Sequence, residues 1–174
     1  QVPEPVALFP LNSTFGTKEI KSRVAAGDAS GVTLAPGPDG VPGGSYEFSG
    51  SSNSFIEFSN SEGGPLDVRY SMTMLCWVYY NSKDGPLFNY RPSKPWAFVG
   101  ATYDHSTGDA KLWVNGAVVQ TLNIGAGLDL ATQDSIRMGA IKNYDWWSFK
   151  GRIAQMQVYD KALTQEQIQT IQQQ

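Results

Sequence analysis

Two tight turns close together in the second half of the chain constrain its fold more than any other feature. Trp96 to Tyr103 is an aromatic and β-branched run, and Gly108 follows it within Asp104-His105-Ser106-Thr107-Gly108-Asp109. Lys111 to Val114 resumes the alternation, Asn115-Gly116 turns the chain again, and Ala117 to Leu122 runs back. Asn-Gly between two such runs is the strongest short-range hairpin signal, because both central residues must take positive φ. Gly108 supplies the same freedom at the first turn. The segment is therefore predicted to be an antiparallel three-strand meander.

The rest of the chain carries the same pattern. Val6-Ala7-Leu8-Phe9 is a short apolar run closed by Pro10, which suits a strand end. Asn12 to Gly44 is small, polar and rich in Gly and Pro, with one weak strand expected at Val32-Thr33-Leu34. Ser45 to Phe48 and Ser54 to Phe58 alternate, and Met72 to Tyr80 is apolar at nearly every position, as a central strand covered on both faces would be. Pro86 to Tyr90, Ser135 to Gly139 and Phe149 to Tyr159 are further strands; in the last, one face is expected to be core and the other wet. Thr164 with Gln167 three residues on is a capping box, and Leu163 with Ile168 a hydrophobic staple, so one short helix should start there.

With 174 residues, 18 Gly, 10 Pro and only 17% charged residues, the chain suits one domain, 1–174, of many strands joined by turns. A net charge of −3 offers no basic field for a nucleic acid backbone. No apolar run reaches the roughly 18 residues of a membrane-spanning helix, so no membrane insertion is expected.

The ordered run Thr102-Tyr103-Asp104, Gly108, Lys111-Leu112-Trp113-Val114-Asn115-Gly116, then Phe149-Lys150-Gly151 with Ile153, Val158-Tyr159 and Ala162-Leu163-Thr164, resembles the laminin-G-like, concanavalin-A-like jelly-roll family. That resemblance implies an all-β antiparallel sandwich of jelly-roll type with one short C-terminal helix. It also implies an extracellular recognition module, binding a glycan or glycoprotein or serving as a protein–protein adhesion or matrix module. Against the family pattern, the stretch from Tyr90 and Arg91 to Trp96 is short, as though additional strands were missing.

Catalysis is not expected. Glycan-cleaving members of this class need an acid and a nucleophile about 5 Å apart on one strand. Here Glu47 and Glu57 are each the only acid in their strand, and the closing strand carries Gln155 and Gln157, which cannot exchange protons near neutral pH. The single histidine, His105, sits on a turn, and the single cysteine, Cys76, lies within the most apolar run, where a small core residue is expected. The sequon Asn12-Ser13-Thr14 has meaning only in a secretory route.

Two candidate sites remain. The loop Asn143-Tyr144-Asp145-Trp146-Trp147 combines indole faces with polar groups, the physical form of a sugar site, and Tyr90, Arg91 and Trp113 are secondary contacts. Trp113 is expected on the outward face with Lys111. The alternative for either loop tryptophan is to plug the end of the sandwich. The resemblance further implies a structural Ca2+ where N-terminal loops meet the closing strand, with Asp39, Asn53 and Asp160 as oxygen ligands. The alternative is turn chemistry, in which short polar side chains bond their own backbone.

Overall fold

A computed structural model describes residues 1–80, 96–143 and 147–174. Its elements in chain order are β1 (Ala7–Phe9), β2 (Asp28–Ser30), β3 (Val32–Ala35), β4 (Ser45–Ser49), β5 (Phe55–Phe58), β6 (Met72–Tyr80), β7 (Trp96–Tyr103), β8 (Asp109–Val114), β9 (Ala117–Asn123), β10 (Ile136–Met138), β11 (Lys150–Tyr159) and α1 (Gln165–Gln172). Every pairing is antiparallel. The long sheet runs β3-β4-β11-β6-β7-β8-β9, with β1 paired to the second half of β11 beyond the end of β4. A small sheet, β10-β5-β2, packs over part of it. This is the sandwich with one C-terminal helix that the sequence predicts. The expected strand at Pro86 to Tyr90 and the shortened stretch before Trp96 lie outside the described residues.

The turns fold as their residues require. Asn115 and Gly116 take φ of 51° and 79°, the pair that a two-residue hairpin of the proper twist needs. At α1, Thr164 Oγ1 accepts from Gln167 N while Gln167 Oε1 accepts from Thr164 N. Leu163 and Ile168 enter one buried cluster, as the staple predicts.

Two cores result, one on each face of the long sheet. Between the sheets lie Phe9, Phe48, Ile56, Phe58, Ile153, Met156 and Val158. Cys76 is half-buried against them, and burial pushes its thiol up to about 12. On the outer face, α1 lies over Leu75, Phe98, Trp113 and Tyr159 through Ile168 and Ile171.

That second core corrects two expectations. Trp113 does stand on the face with Lys111, but it is only 4% exposed, and its indole Nε1 donates to Thr102 Oγ1 at 2.9 Å. Alternation identified the face correctly; the helix that covers it comes from far along the chain. Trp113 is a core residue and not a ligand contact. Likewise β11 has no continuous wet face, since Ile153, Ala154, Met156, Gln157, Val158 and Tyr159 are buried and only Lys150 and Gln155 are exposed. Its alternation also breaks at a bulge between Ala154 and Gln157, which returns Gln157 and Tyr159 to the same face as Ala154. A third difference is β2, formed by Asp28-Ala29-Ser30, whose polar residues gave no strand pattern.

Candidate functional site

On the outer face of the long sheet, the strands left uncovered by α1 form the floor of a groove of about 890 Å³. Register places its residues. Trp77 of β6 sits opposite Ala154 of β11 and Phe98 of β7, and Trp96 sits opposite Tyr79. Leu8 of β1 pairs with Gln157. The floor thus presents Leu8, Gln157, Gln155, Trp77 and Trp96, walled by the loops at 10–15 and 38–44 and by Ile171 of α1. The indoles are propped from below: Trp77 packs on Phe98 with ring centroids 5.0 Å apart, and Trp96 on Tyr79 at 5.6 Å.

One of the two floor amides, that of Gln157, is held in a fixed direction. Gln157 is 6% exposed, and the Tyr159 hydroxyl donates to its Oε1 at 2.6 Å, which leaves the amide nitrogen as the donor toward the groove. Burial pushes the Tyr159 phenol up to about 12, so it remains a hydroxyl at ordinary pH. Gln155 is the exposed residue of the bulge, with φ of 52° and its N–H donating to Pro10 O at 3.0 Å. A left-handed conformation costs a non-glycine residue about 1–2 kcal/mol, and such strain tends to be kept where a side chain has work to do. Gln155→Gly is accordingly expected to leave the melting temperature unchanged or slightly raised while weakening ligand retention. A clear fall in melting temperature would show that the side chain serves packing.

The loop walls are themselves anchored. Glu19, 2% exposed, accepts from Leu8 N, Lys21 N and Arg23 N and from the Arg23 side chain, tying the chain beside Ile20 to β1. Burial favours its protonation, but those hydrogen bonds outweigh it and hold the carboxyl down at about 2. At the 38–44 wall, Asp39 Oδ1 accepts from Val41 N, an ordinary Asx turn.

The proposed calcium ligands do not converge. Asn53 lies in the loop beside Ser30 and Gly31 at the end of β4, whose last residue pairs with Lys150 at the start of β11, whereas Asp160 follows the other end of β11. A ten-residue strand spans about 30 Å, far beyond the 2.3–2.6 Å reach of Ca2+ to each oxygen. Asp39 sits in the β3–β4 connection, at the opposite end of β4 from Asn53. Among the described residues no cluster of three or more His, Cys, Asp or Glu is placed to hold a metal. Asp39, Asn53 and Asp160 therefore do not fit the ion as one ligand set.

Of the aromatic loop, Asn143 is exposed with φ of 67°, and Trp147 is 74% exposed. Tyr144, Asp145 and Trp146, with Tyr90 and Arg91, lie outside the described residues. Sequence reasoning missed Trp77 and Trp96 because each sits inside a run that reads as buried strand. The only available signal was the pair of glutamines on the closing strand, noted for lacking acids and not for lining a groove.

A twisted antiparallel sandwich with a C-terminal helix across its long sheet and an aromatic-floored groove beside that helix defines a lectin-like class of β-sandwich. The family model of the concanavalin A-like lectin/glucanases superfamily, of the laminin G type, matches residues 38–169, and the chain belongs to that family. No protein with a curated description matches the sequence. Among solved structures, the chain is similar to domain 4 of AbnA, a GH43 extracellular arabinanase from Geobacillus stearothermophilus solved with arabinotriose (TM-score 0.70, 16% identity, 98% of this chain and 99% of that one). It is similar also to the botulinum neurotoxin serotype G binding domain (TM-score 0.70, 13% identity, 97% and 50%). A third is the Trypanosoma rangeli sialidase (TM-score 0.66, 14% identity, 98% and 33%). The chain thus spans half of the toxin domain and a third of the sialidase, and at these identities the likeness is one of fold.

Proposed function

We propose that this chain is a non-catalytic glycan-recognition module acting outside the cell, with the groove floored by Trp77 and Trp96 as its binding surface. The observation that carries this reading is the groove's make-up: indoles packed against neighbouring rings, beside the amide of Gln157 held by Tyr159 and the exposed amide of Gln155. A sugar ring has an apolar C–H face and a rim of hydroxyls, so it needs just such a pairing of aromatic surface with directed hydrogen-bonding groups. The groove's volume falls within the roughly 300–1,000 Å³ of ligand sites. The solved domain of similar fold and length that holds arabinotriose, part of an extracellular enzyme, supports the reading. Hydrolysis is disfavoured by the groove's own groups, since Asp39 is its one Asp or Glu among the described lining residues and a glycosidase needs two carboxyls. Trp147, whose indole stands mostly in solvent, is proposed as a second contact.

Trp96→Ala is expected to weaken retention on a glycan array by about tenfold or more, since aromatic contact with a ligand contributes on the order of 1–2 kcal/mol. Unchanged retention would remove the groove as the site. A protein-binding reading is favoured by one observation, the apolar side chains on β8 and β9 that the small sheet leaves uncovered, Leu112 at 51% and Leu122 at 61% exposure. Silence of tryptophan fluorescence across a sugar panel would move the assignment to that surface.

A further inference from the structure

We infer that the groove selects uncharged oligosaccharides and rejects those bearing carboxylates, such as sialylated or uronic chains. This rests on the reading of the groove as a glycan site and adds the chemistry of what it admits. None of its described lining residues is Lys, Arg or His, and the single charged side chain among them is Asp39 at the wall. Its polar groups are neutral: Gln155 and Gln157 on the floor, and Asn12, Ser13 and Thr14 on the wall. Arg152, on the same face of the sheet, is not among the lining residues, and its buried Nε has no hydrogen-bond partner among the described residues. Its Nε lies 3.6 Å from Glu47 Oε1 and its guanidinium sits over the Tyr79 ring, 4.9 Å from the centroid.

A carboxylate entering this groove gives up its water and meets no cation among the described lining residues, while the field of Asp39 and the chain's net charge of −3 opposes it. A hydroxyl entering the same place exchanges water for an amide partner at little cost. The Gln157 nitrogen is especially suited to this exchange, because its carbonyl partner accepts from Tyr159 and no acceptor among the described residues takes its N–H groups. The amide therefore turns an oriented NH2 group, with its two N–H donors, toward an incoming oxygen. The site reads hydroxyl pattern and ring face, and charge counts against a ligand.

Isothermal titration of the whole chain with xylotriose, cellotriose, sialyllactose and trigalacturonic acid, alongside Trp96→Ala and Gln155→Arg, decides the matter. At least one neutral trisaccharide should bind about tenfold or more tighter than both acidic ones, the cost of an unpaired desolvated charge. Trp96→Ala should abolish that difference by weakening the neutral ligand. Gln155→Arg, at an exposed bulge position that leaves the core untouched, should gain affinity for an acidic trisaccharide. Equal Trp96-dependent binding of acidic and neutral probes would overturn the selectivity and leave the glycan site standing. Binding of no probe, or binding indifferent to Trp96, would overturn both.

Discussion

Glu19→Gln should lower stability by about 3–5 kcal/mol, the consequence of neutralising a buried carboxylate on which a hydrogen-bond network converges. For a domain of this size that is a fall in melting temperature of roughly 10 °C or more. Five hydrogen bonds converge on the Glu19 carboxylate: three from the backbone N–H groups of Leu8, Lys21 and Arg23, and two from Arg23 Nε and Nη2 at 3.0 and 2.8 Å. An amide can accept some of these, but its own NH2 then faces donors, and the Arg23 guanidinium is left with only the longer 3.5 Å contact to Glu4 as a charge partner. The damage is expected to spread to the groove, because Glu19 fixes Leu8 of the floor and the loop that carries Ile20.

The same group makes the protein acid-sensitive. Its folded carboxyl sits at about 2 against an ordinary 4.5, so between those values the unfolded chain binds more protons than the folded one. Its stabilisation is complete above pH 4.5 and is lost as pH falls toward 2. Denaturant titrations at neutral pH and near pH 3 should show wild type losing more stability on acidification than Glu19→Gln. A variant that melts within 2 °C of wild type would contradict the role of Glu19.

Trp113→Ala should cost about 3–5 kcal/mol, as large-to-small changes of buried aromatics do. The indole fills the space between the long sheet and α1. Its row across the sheet runs Gln157, Leu75, Gly100, Trp113, and at Gly100 an added Cβ would stand 2.3 Å from Met74 O and 2.5 Å from Leu75 Cδ2. The Leu75 side chain and the Met74 carbonyl already close over Gly100, which has no side chain of its own to move into the cavity. Trp113→Phe should recover most of the packing and lose about 1 kcal/mol with the bond to Thr102. Trp147→Ala, by contrast, should change stability by no more than about 0.5 kcal/mol, because its side chain stands mostly in solvent. Thermal melts of the three variants check the ordering, and an unaltered Trp113→Ala melt would return that indole to the list of surface contacts.

What could be read from the sequence is what local chemistry decides. Asn115-Gly116 turns because of the φ its residues accept, Thr164 caps because its hydroxyl reaches Gln167 N, and Met72 to Tyr80 is central because every side chain in it wants cover. The absence of a proton-shuttling pair on β11 was also visible, since residue identity alone decides it.

The site was set by contacts between residues far apart in the chain. Trp77 and Trp96 belong to different strands, Leu8 and Gln157 are brought together by the pairing of β1 with β11, and the bulge at Gln155 turns an amide outward against simple alternation. Whether an aromatic residue on the outer face is core or ligand surface depends on where α1 comes to rest: it covers Trp113 and leaves Trp77 and Trp96 at the groove. A strand's own residues determine only that it has two faces. What each face meets is determined by burial of apolar area among elements distant in sequence, and only the tertiary structure carries that information.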